Sequence, residues 1–214
     1  QAGDVAARMV VDLLPGVLAN ILAESPVAMV GAEEEIGERL QRSVAELTVR
    51  IRDEARRQPG LADMGATIVA AWITPRHAHL VHMGDSRAYL FRRGLLERLT
   101  GDHTLVDTLL RHGSLTEQEA EHHPLRSGLL RYVGMPGRFK ATVSSHALHA
   151  GDRLLLCTDG VWSMLQDPRL AAILKERRTP DRTCGDLIAL GRTAGGKDNL
   201  TAIMIDVHPP QMRV

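Results

Sequence analysis

The sequence contains little cysteine and carries no net charge. Only two of the 214 residues are cysteines, Cys157 and Cys184, and they lie far apart in the chain. This spacing argues against a disulfide scaffold or a thiolate zinc site and indicates a reducing compartment. The 26 lysines and arginines balance the 26 aspartates and glutamates, so no long-range field draws the chain to nucleic acid. A small molecule or a protein is the expected partner.

A targeting signal and a membrane span are also missing from the printed sequence. Residues 1–4 lack the basic and apolar pattern of a secretory signal. No apolar run approaches the roughly 20 residues that a bilayer span needs. We therefore expect a cytoplasmic monomer that binds neither a membrane nor nucleic acid.

The hydrophobic pattern changes its period after Pro59-Gly60. A period of three to four residues predicts a helical pair within residues 1–58, the second helix ending at Arg56-Arg57. Alternating and continuous apolar runs then predict strands at residues 66–73, 77–83, 87–91, 140–148, 153–157 and 200–207. Further helices are predicted at residues 104–112, 116–122, 161–165, 168–176 and 183–192. Helices grouped early and late around a central run of strands favour one α+β domain over residues 1–214, with its sheet core at 60–208.

The apolar strand at residues 153–157 leads directly into Thr158-Asp159-Gly160. A strand end is rigid enough to aim the Asp159 carboxylate out of the core. Gly160 lets the backbone turn sharply, so that the carboxylate can face a hard cation. Taken alone, the segment is better explained by Asp159 as the cap of a helix that starts at residue 161.

A second carboxylate of this kind occurs in Gly195-Gly196-Lys197-Asp198-Asn199, just before the last strand. Taken alone, this segment is better explained by a glycine turn in which Asp198 and Asn199 make local hydrogen bonds.

Six segments occur in an order that resembles the metal-dependent protein serine/threonine phosphatases of type 2C, bacterial members in particular. They are Gly65-Ala66-Thr67, Gly84-Asp85-Ser86-Arg87-Ala88-Tyr89, Leu99-Thr100-Gly101-Asp102-His103, His123-Pro124 through Gly134, Gly151-Asp152 through Trp162, and Gly195 through Thr201. The resemblance covers the chain from about residue 60 to its end. Residues 1–58 match only as the helical pair.

The resemblance implies a fold and a metal site. The fold is a four-layer α-β-β-α sandwich of two antiparallel sheets flanked by helices, with a flap and with the amino-terminal strands absent from this sequence. Carboxylates at one end of the sandwich hold two Mn²⁺ or Mg²⁺ ions, and Asp159 and Asp198 match two ligand positions. Asp85 matches the aspartate that holds a third, weaker ion, and a turn residue after Gly84 explains it equally well. Gly160 and Asn199 match supporting positions.

The resemblance also implies an activity. A metal-activated water hydrolyses phosphoserine and phosphothreonine on proteins, opposing a protein kinase in signalling. The partner is then a phosphorylated protein, either a kinase or one of its targets.

Three motifs of the family are missing from this sequence. They are an arginine that binds phosphate, a Glu-Asp pair, and an Asp-Gly-Met-Gly-Gly-His segment. Since residues 1–4 resemble the stretch that family members carry directly after that segment, we expect an upstream portion in the native protein and no catalytic residue here beyond the metal site. The alternative is a non-catalytic, phosphatase-like binding or regulatory module with an incomplete metal site, but the presence of both Asp159 and Asp198 argues against it.

Other polar residues are interpreted as structural. His77 and His79 share one face of a strand, and we expect half-exposed strand residues rather than a transition-metal site. Asp102-His103 is expected to support the fold, and Cys157 to be a small core residue rather than a nucleophile.

Overall fold

The computed structural model describes residues 2–23, 32–137, 139–196 and 198–209. The described helices are α1 (Ala2–Ala23), α2 (Ala32–Arg57), α3 (Leu105–Arg111), α4 (Glu117–Glu121), α5 (Asp159–Trp162), α6 (Asp167–Lys175) and α7 (Pro180–Thr193), with a 3₁₀ turn at Pro59–Leu61. The strands are β1 (Ile68–Ile73), β2 (His77–Met83), β3 (Arg87–Arg92), β4 (Leu95–Arg98), β5 (Thr142–Ala147), β6 (Arg153–Cys157) and β7 (Ala202–Asp206). Among the described helices, none combines the length and the apolar character that crossing a membrane requires.

The chain divides into two compact units, each built from two separate segments. The first unit comprises Gln1–Gly84 and Asp102–His146, and the second comprises Asp85–Gly101 and Ala147–Val214. The backbone therefore passes between the units three times. The single domain expected over residues 1–214 stays a prediction.

The first unit packs two long helices on a three-stranded sheet of order β1-β2-β5. Along α2, the side chains of Leu40, Val44, Leu47 and Ile51 are buried and recur every three or four residues, which places them on one face. They join apolar residues of α1 and of the sheet in one core cluster. Burial of this stripe explains why the helical period was readable in the sequence.

The second unit holds a four-stranded antiparallel sheet of order β4-β3-β6-β7. Strand β6 is central and is buried at all five positions, which explains its continuous apolar run. Strands β3 and β4 are joined by Arg93-Gly94, whose φ angles of 51° and 87° suit a tight hairpin turn. Helices α6 and α7 bury their apolar faces in the core of this unit.

The predicted α+β class of two antiparallel sheets with flanking helices is confirmed. Strands β2 and β6 have the predicted bounds, and the other predicted strands differ by a few residues at their ends. Helix α4 begins with a capping box, in which Thr116 and Glu119 satisfy each other's backbone N–H groups. The first helix runs from Ala2 to Ala23 with Pro15 inside it.

Candidate metal centre

Strand register brings three aspartates to the same end of the four-stranded sheet. Cys157, the last residue of β6, pairs with Arg87 at the start of β3 and with Ala202 at the start of β7. Asp85 lies two residues before Arg87, Asp159 lies two residues after Cys157, and Asp198 lies four residues before Ala202. Because the three strands are antiparallel neighbours, all three aspartates leave the sheet at one edge.

Asp159 is the first residue of α5 rather than its cap. The N-cap position belongs to Thr158, which makes no side-chain capping bond. One carboxylate oxygen of Asp159, Oδ1, accepts a hydrogen bond of 2.9 Å from the Gly160 N–H. The simpler interpretation, in which Asp159 caps a helix starting at residue 161, is therefore wrong.

Thr158 joins the two aspartate-bearing loops. Its N–H donates to the Thr201 carbonyl oxygen at 3.1 Å, and its hydroxyl accepts from the Thr201 N–H, also at 3.1 Å. The same hydroxyl donates to the Asn199 carbonyl oxygen at 3.2 Å. These three bonds tie the segment before Asp159 to the segment after Asp198.

The loops also approach closely at Gly160. A Cβ atom on Gly160 would lie 2.4 Å from the Asn199 carbonyl oxygen, so only glycine fits here. On the other side of the contact, Asp198 Oδ1 accepts a 2.7 Å bond from the Asn199 N–H. The backbone of Asn199 thus bonds both to Asp198 and to Thr158. The supporting role predicted for Asn199 stays a prediction, and Lys197 lies outside the described residues.

Asp85 is anchored through its backbone. The indole Nε1 of Trp162 donates to the Asp85 carbonyl oxygen at 3.0 Å. The guanidinium carbon of Arg87 lies 3.3 Å from the centre of the Trp162 ring, as in a cation–π contact. Sequence reasoning did not assign roles to Thr158, Trp162 or Arg87. Their nearness in sequence to Asp159 and Asp85 was the one available signal.

The carboxylate oxygens of these aspartates are donors that suit a hard divalent ion. Carboxylate oxygens are ligands that Mg²⁺ and Mn²⁺ prefer. Within the part of the chain that the structure describes, no three His, Cys, Asp or Glu residues are grouped so that they could hold an ion among themselves.

A cavity of about 450 Å³ opens beside the second aspartate-bearing loop. Asp198 and Asn199 line it together with Arg192 from the end of α7.

His103 is buried and hydrogen-bonded, as expected of a structural residue. Its Nδ1 accepts a 3.1 Å bond from the Gly84 N–H, and its Nε2 lies 3.0 Å from the Thr142 hydroxyl. The ring stacks on His82 with 4.5 Å between centroids. Burial, followed by the charges of His82, Arg131 and Arg111, lowers the pKa of His103 to about 3.

Two further predictions are now decided. Cys157 is 2% exposed, and burial raises the pKa of its thiol to about 12, so it is the core residue that was predicted and not a nucleophile.

The rings of His77 and His79 share a face, with 5.9 Å between centroids. His79 is 2% exposed, so the half-exposed position predicted for it is wrong. Its strand, β2, is buried along nearly its whole length.

Known proteins resemble this chain over nearly its full length. The family model for protein phosphatase 2C matches residues 1–188. The serine/threonine phosphatase stp of Listeria innocua is 34% identical over 206 residues, which is 96% of this chain and 79% of that protein. The crystal structure of the Mycobacterium tuberculosis serine/threonine phosphatase PstP/Ppp aligns with a TM-score of 0.81 and 31% identity, over 97% of this chain and 83% of that one. The PstP catalytic domain in complex with 2 manganese ions aligns with a TM-score of 0.80 and 30% identity, over the same shares of both chains.

These findings agree with the order of motifs read from the sequence. A family model covers most of the chain, and a relative above 30% identity covers almost all of it. The solved structures confirm the fold class along 97% of the residues. The chain belongs to the protein phosphatase 2C family.

Proposed function

We propose that Asp159 and Asp198 are metal ligands through which this chain, a metal-dependent protein serine/threonine phosphatase, hydrolyses phosphoserine and phosphothreonine on proteins. Asp85 is proposed as the ligand of a third, weaker ion. Gly160 and Asn199 hold the two loops in contact. The observation that supports the assignment is the register of β3, β6 and β7, since Asp85, Asp159 and Asp198 all lie in segments that leave the sheet at the same end.

The bound Mn²⁺ or Mg²⁺ ions supply a water of lowered pKa and neutralise charge on the phosphate. The chain's own residues orient the two carboxylates. The Gly160 N–H donates to Asp159 Oδ1 and the Asn199 N–H donates to Asp198 Oδ1, and these two bonds orient the carboxylates. Thr158 fixes the spacing between the loops.

The substrates are phosphorylated proteins. We propose further that the chain opposes a protein kinase, acting on the kinase or on its targets, since a phosphatase for phosphoserine and phosphothreonine reverses what such a kinase makes. The cytoplasmic location and the monomeric state stay predictions. The free thiols of Cys157 and Cys184 fit a reducing compartment.

The assay is Mn²⁺-dependent hydrolysis of a phosphothreonine peptide by the protein expressed from its own translation start. Asp159→Asn and Asp198→Asn are each expected to lower kcat/KM by about 100-fold or more, because a ligand charge is lost. Asp85→Asn is expected to lower it by about tenfold, with its effect reduced at high Mn²⁺ concentration.

Asp181→Asn serves as the matched control, because Asp181 is an exposed residue in the first turn of α7. It should stay within about twofold of the wild type. Rates within about threefold of wild type for Asp159→Asn or Asp198→Asn would refute the ligand assignment. A wild-type protein without activity would instead support the non-catalytic module, which the named phosphatase relatives do not favour.

A further inference from the structure

A second polar cavity lies at the other end of the four-stranded sheet. Its volume is about 390 Å³, and the residues that line it include Arg92, Arg93, His149 and Arg177. Arg92 ends β3, and the segment of residues 149–152 leads into β6 at Arg153. The metal centre lies beyond Cys157, at the opposite end of β6. Five strand residues separate the two ends, which is about 17 Å.

Two of the residues that line this cavity, Arg92 and Asp152, form an ion pair. Asp152 is 2% exposed and accepts a bidentate bond from Arg92, with distances of 2.9 Å from Nε and 2.7 Å from Nη2. Burial alone would raise the pKa of Asp152. The bonds from Arg92 and from the His149 N–H nevertheless hold it below its usual value. This aspartate therefore stays ionised and balances only one of the three arginines.

The other two arginines are exposed at the rim. Arg177 donates one bond of 3.0 Å to the Gly151 carbonyl oxygen, which aims its guanidinium across the cavity. Arg93 makes no hydrogen bond or ion pair with the residues that the structure describes. Asp152 is the one carboxylate that lines the cavity. Among the described residues that line the cavity, three arginines therefore accompany one carboxylate, with Glu97 also near Arg92.

The backbone of the rim is unusual as well. Among the described residues other than glycine, Arg93 and Arg177 alone have a positive φ, of 51° and 49°. Arg93 takes this conformation in the tight turn after β3, and Arg177 takes it directly after the C-cap of α6. The hairpin turn and the end of α6 thus both place an arginine at the same opening.

We propose that this cavity, which we call the arginine pocket, binds a phosphate group, either inorganic phosphate or the phosphate of a phosphorylated side chain. Two guanidinium groups with unused N–H donors suit a phosphate dianion in charge and in donor type. The pocket is separate from the metal centre and needs no metal ion. Its existence does not depend on the assignment of the catalytic ligands.

The test is amide NMR of the full chain in EDTA, titrated first with sodium phosphate and then with a phosphothreonine peptide. Chloride at equal ionic strength is the reference. We expect saturable shifts at Arg93, Gly94, Gly151 and Arg177. The double variant Arg93→Gln, Arg177→Gln should weaken binding at least tenfold, whereas Arg169→Gln, at an exposed position of α6 outside the pocket, should leave it unchanged.

The outcomes separate the two ligand sources. Peptide binding at least tenfold tighter than that of free phosphate supports the pocket as a docking site for phosphorylated substrate. Equal binding supports it as a site for the product, inorganic phosphate. Absence of shifts at these amides with both ligands, or equal weakening by Arg169→Gln, would overturn the proposal. Because metal is absent from the titration, failure here leaves the Mn²⁺-dependent assay untouched.

Discussion

The Thr158 hydroxyl donates a hydrogen bond to the Asn199 carbonyl oxygen, 3.2 Å away. Thr158 directly precedes Asp159, and Asn199 directly follows Asp198, so this bond joins the two proposed ligand loops beyond the last strand pair. Sheet register sets which residues reach the edge, and the hydroxyl sets how far apart they stand. The spacing of the carboxylates is thus controlled by a residue that carries no charge.

Replacement of Thr158 by valine keeps its shape and removes the hydroxyl. The Thr201 N–H and the Asn199 carbonyl oxygen then both lose a partner. We expect the free energy of unfolding to fall by about 1–2 kcal/mol and the apparent Kd for Mn²⁺ to rise several-fold. Chemical denaturation and calorimetric titration measure the two effects. In Thr48→Val, the lost hydroxyl bonds only to its own helix, so Mn²⁺ affinity should not change. Equal Mn²⁺ affinity in Thr158→Val and wild type would contradict the linkage.

Gly160→Ala tests the close approach of the same two loops. The new methyl group would meet the Asn199 carbonyl oxygen at 2.4 Å, and backbone cannot move away as a flexible side chain can. We expect a loss of about 1–3 kcal/mol in the free energy of unfolding, together with reduced metal-dependent activity. Gly185→Ala is the control, because Gly185 lies inside α7 with no atom within 4 Å of the added Cβ. It should stabilise the protein by up to about 1 kcal/mol. Similar effects of the two substitutions on thermal unfolding would argue against a packing constraint at Gly160.

The sequence predicted six of the seven described strands because a buried strand leaves a local mark, such as the apolar run of residues 154–157. Strand β4 is mostly exposed, leaves no such run and was not predicted. Asp159 and Asp198 were assigned through the order of the family motifs, since each segment taken alone favours a helix cap or a glycine turn. The contact between Trp162 and Asp85 could not be read in this way, since 77 residues separate the two partners. The same holds for the arginine pocket, which joins a hairpin, a loop and the end of α6. Such long-range pairs follow from strand order, which no local pattern encodes.

Replacement of Arg153 tests how much a buried charge contributes to the free energy of unfolding. The hydrogen-bond partners of Arg153 are also distant from it in sequence. It is 1% exposed and donates to Asp206, to the carbonyl oxygens of Leu174 and Arg178, and to the Thr183 hydroxyl. Arg153→Met leaves the Asp206 carboxylate and two carbonyl oxygens without this donor. We expect a loss of about 3–5 kcal/mol in the free energy of unfolding, measured by chemical denaturation.

The matched control for Arg153 is Arg178→Met. The Arg178 side chain pairs with Glu176 and Asp186 at the surface and is 43% exposed. Its loss should therefore cost less than about 1 kcal/mol. A comparable loss for both arginines would show that burial of Arg153 does not determine its contribution.

The lowered pKa of His103 predicts how the free energy of unfolding depends on pH. The pKa of its imidazole is about 3 in the fold, because burial and then the nearby charges disfavour protonation, against an ordinary value of 6.5. Between pH 6.5 and 3 the unfolded chain therefore binds a proton at this residue that the folded chain does not. The stabilising contribution of neutral His103 is complete above pH 6.5 and declines as the pH falls through this window. Denaturation curves at a series of pH values should show a steeper loss for wild type than for His103→Gln. Parallel curves for wild type and His103→Gln would mean that the buried imidazole is protonated within the fold.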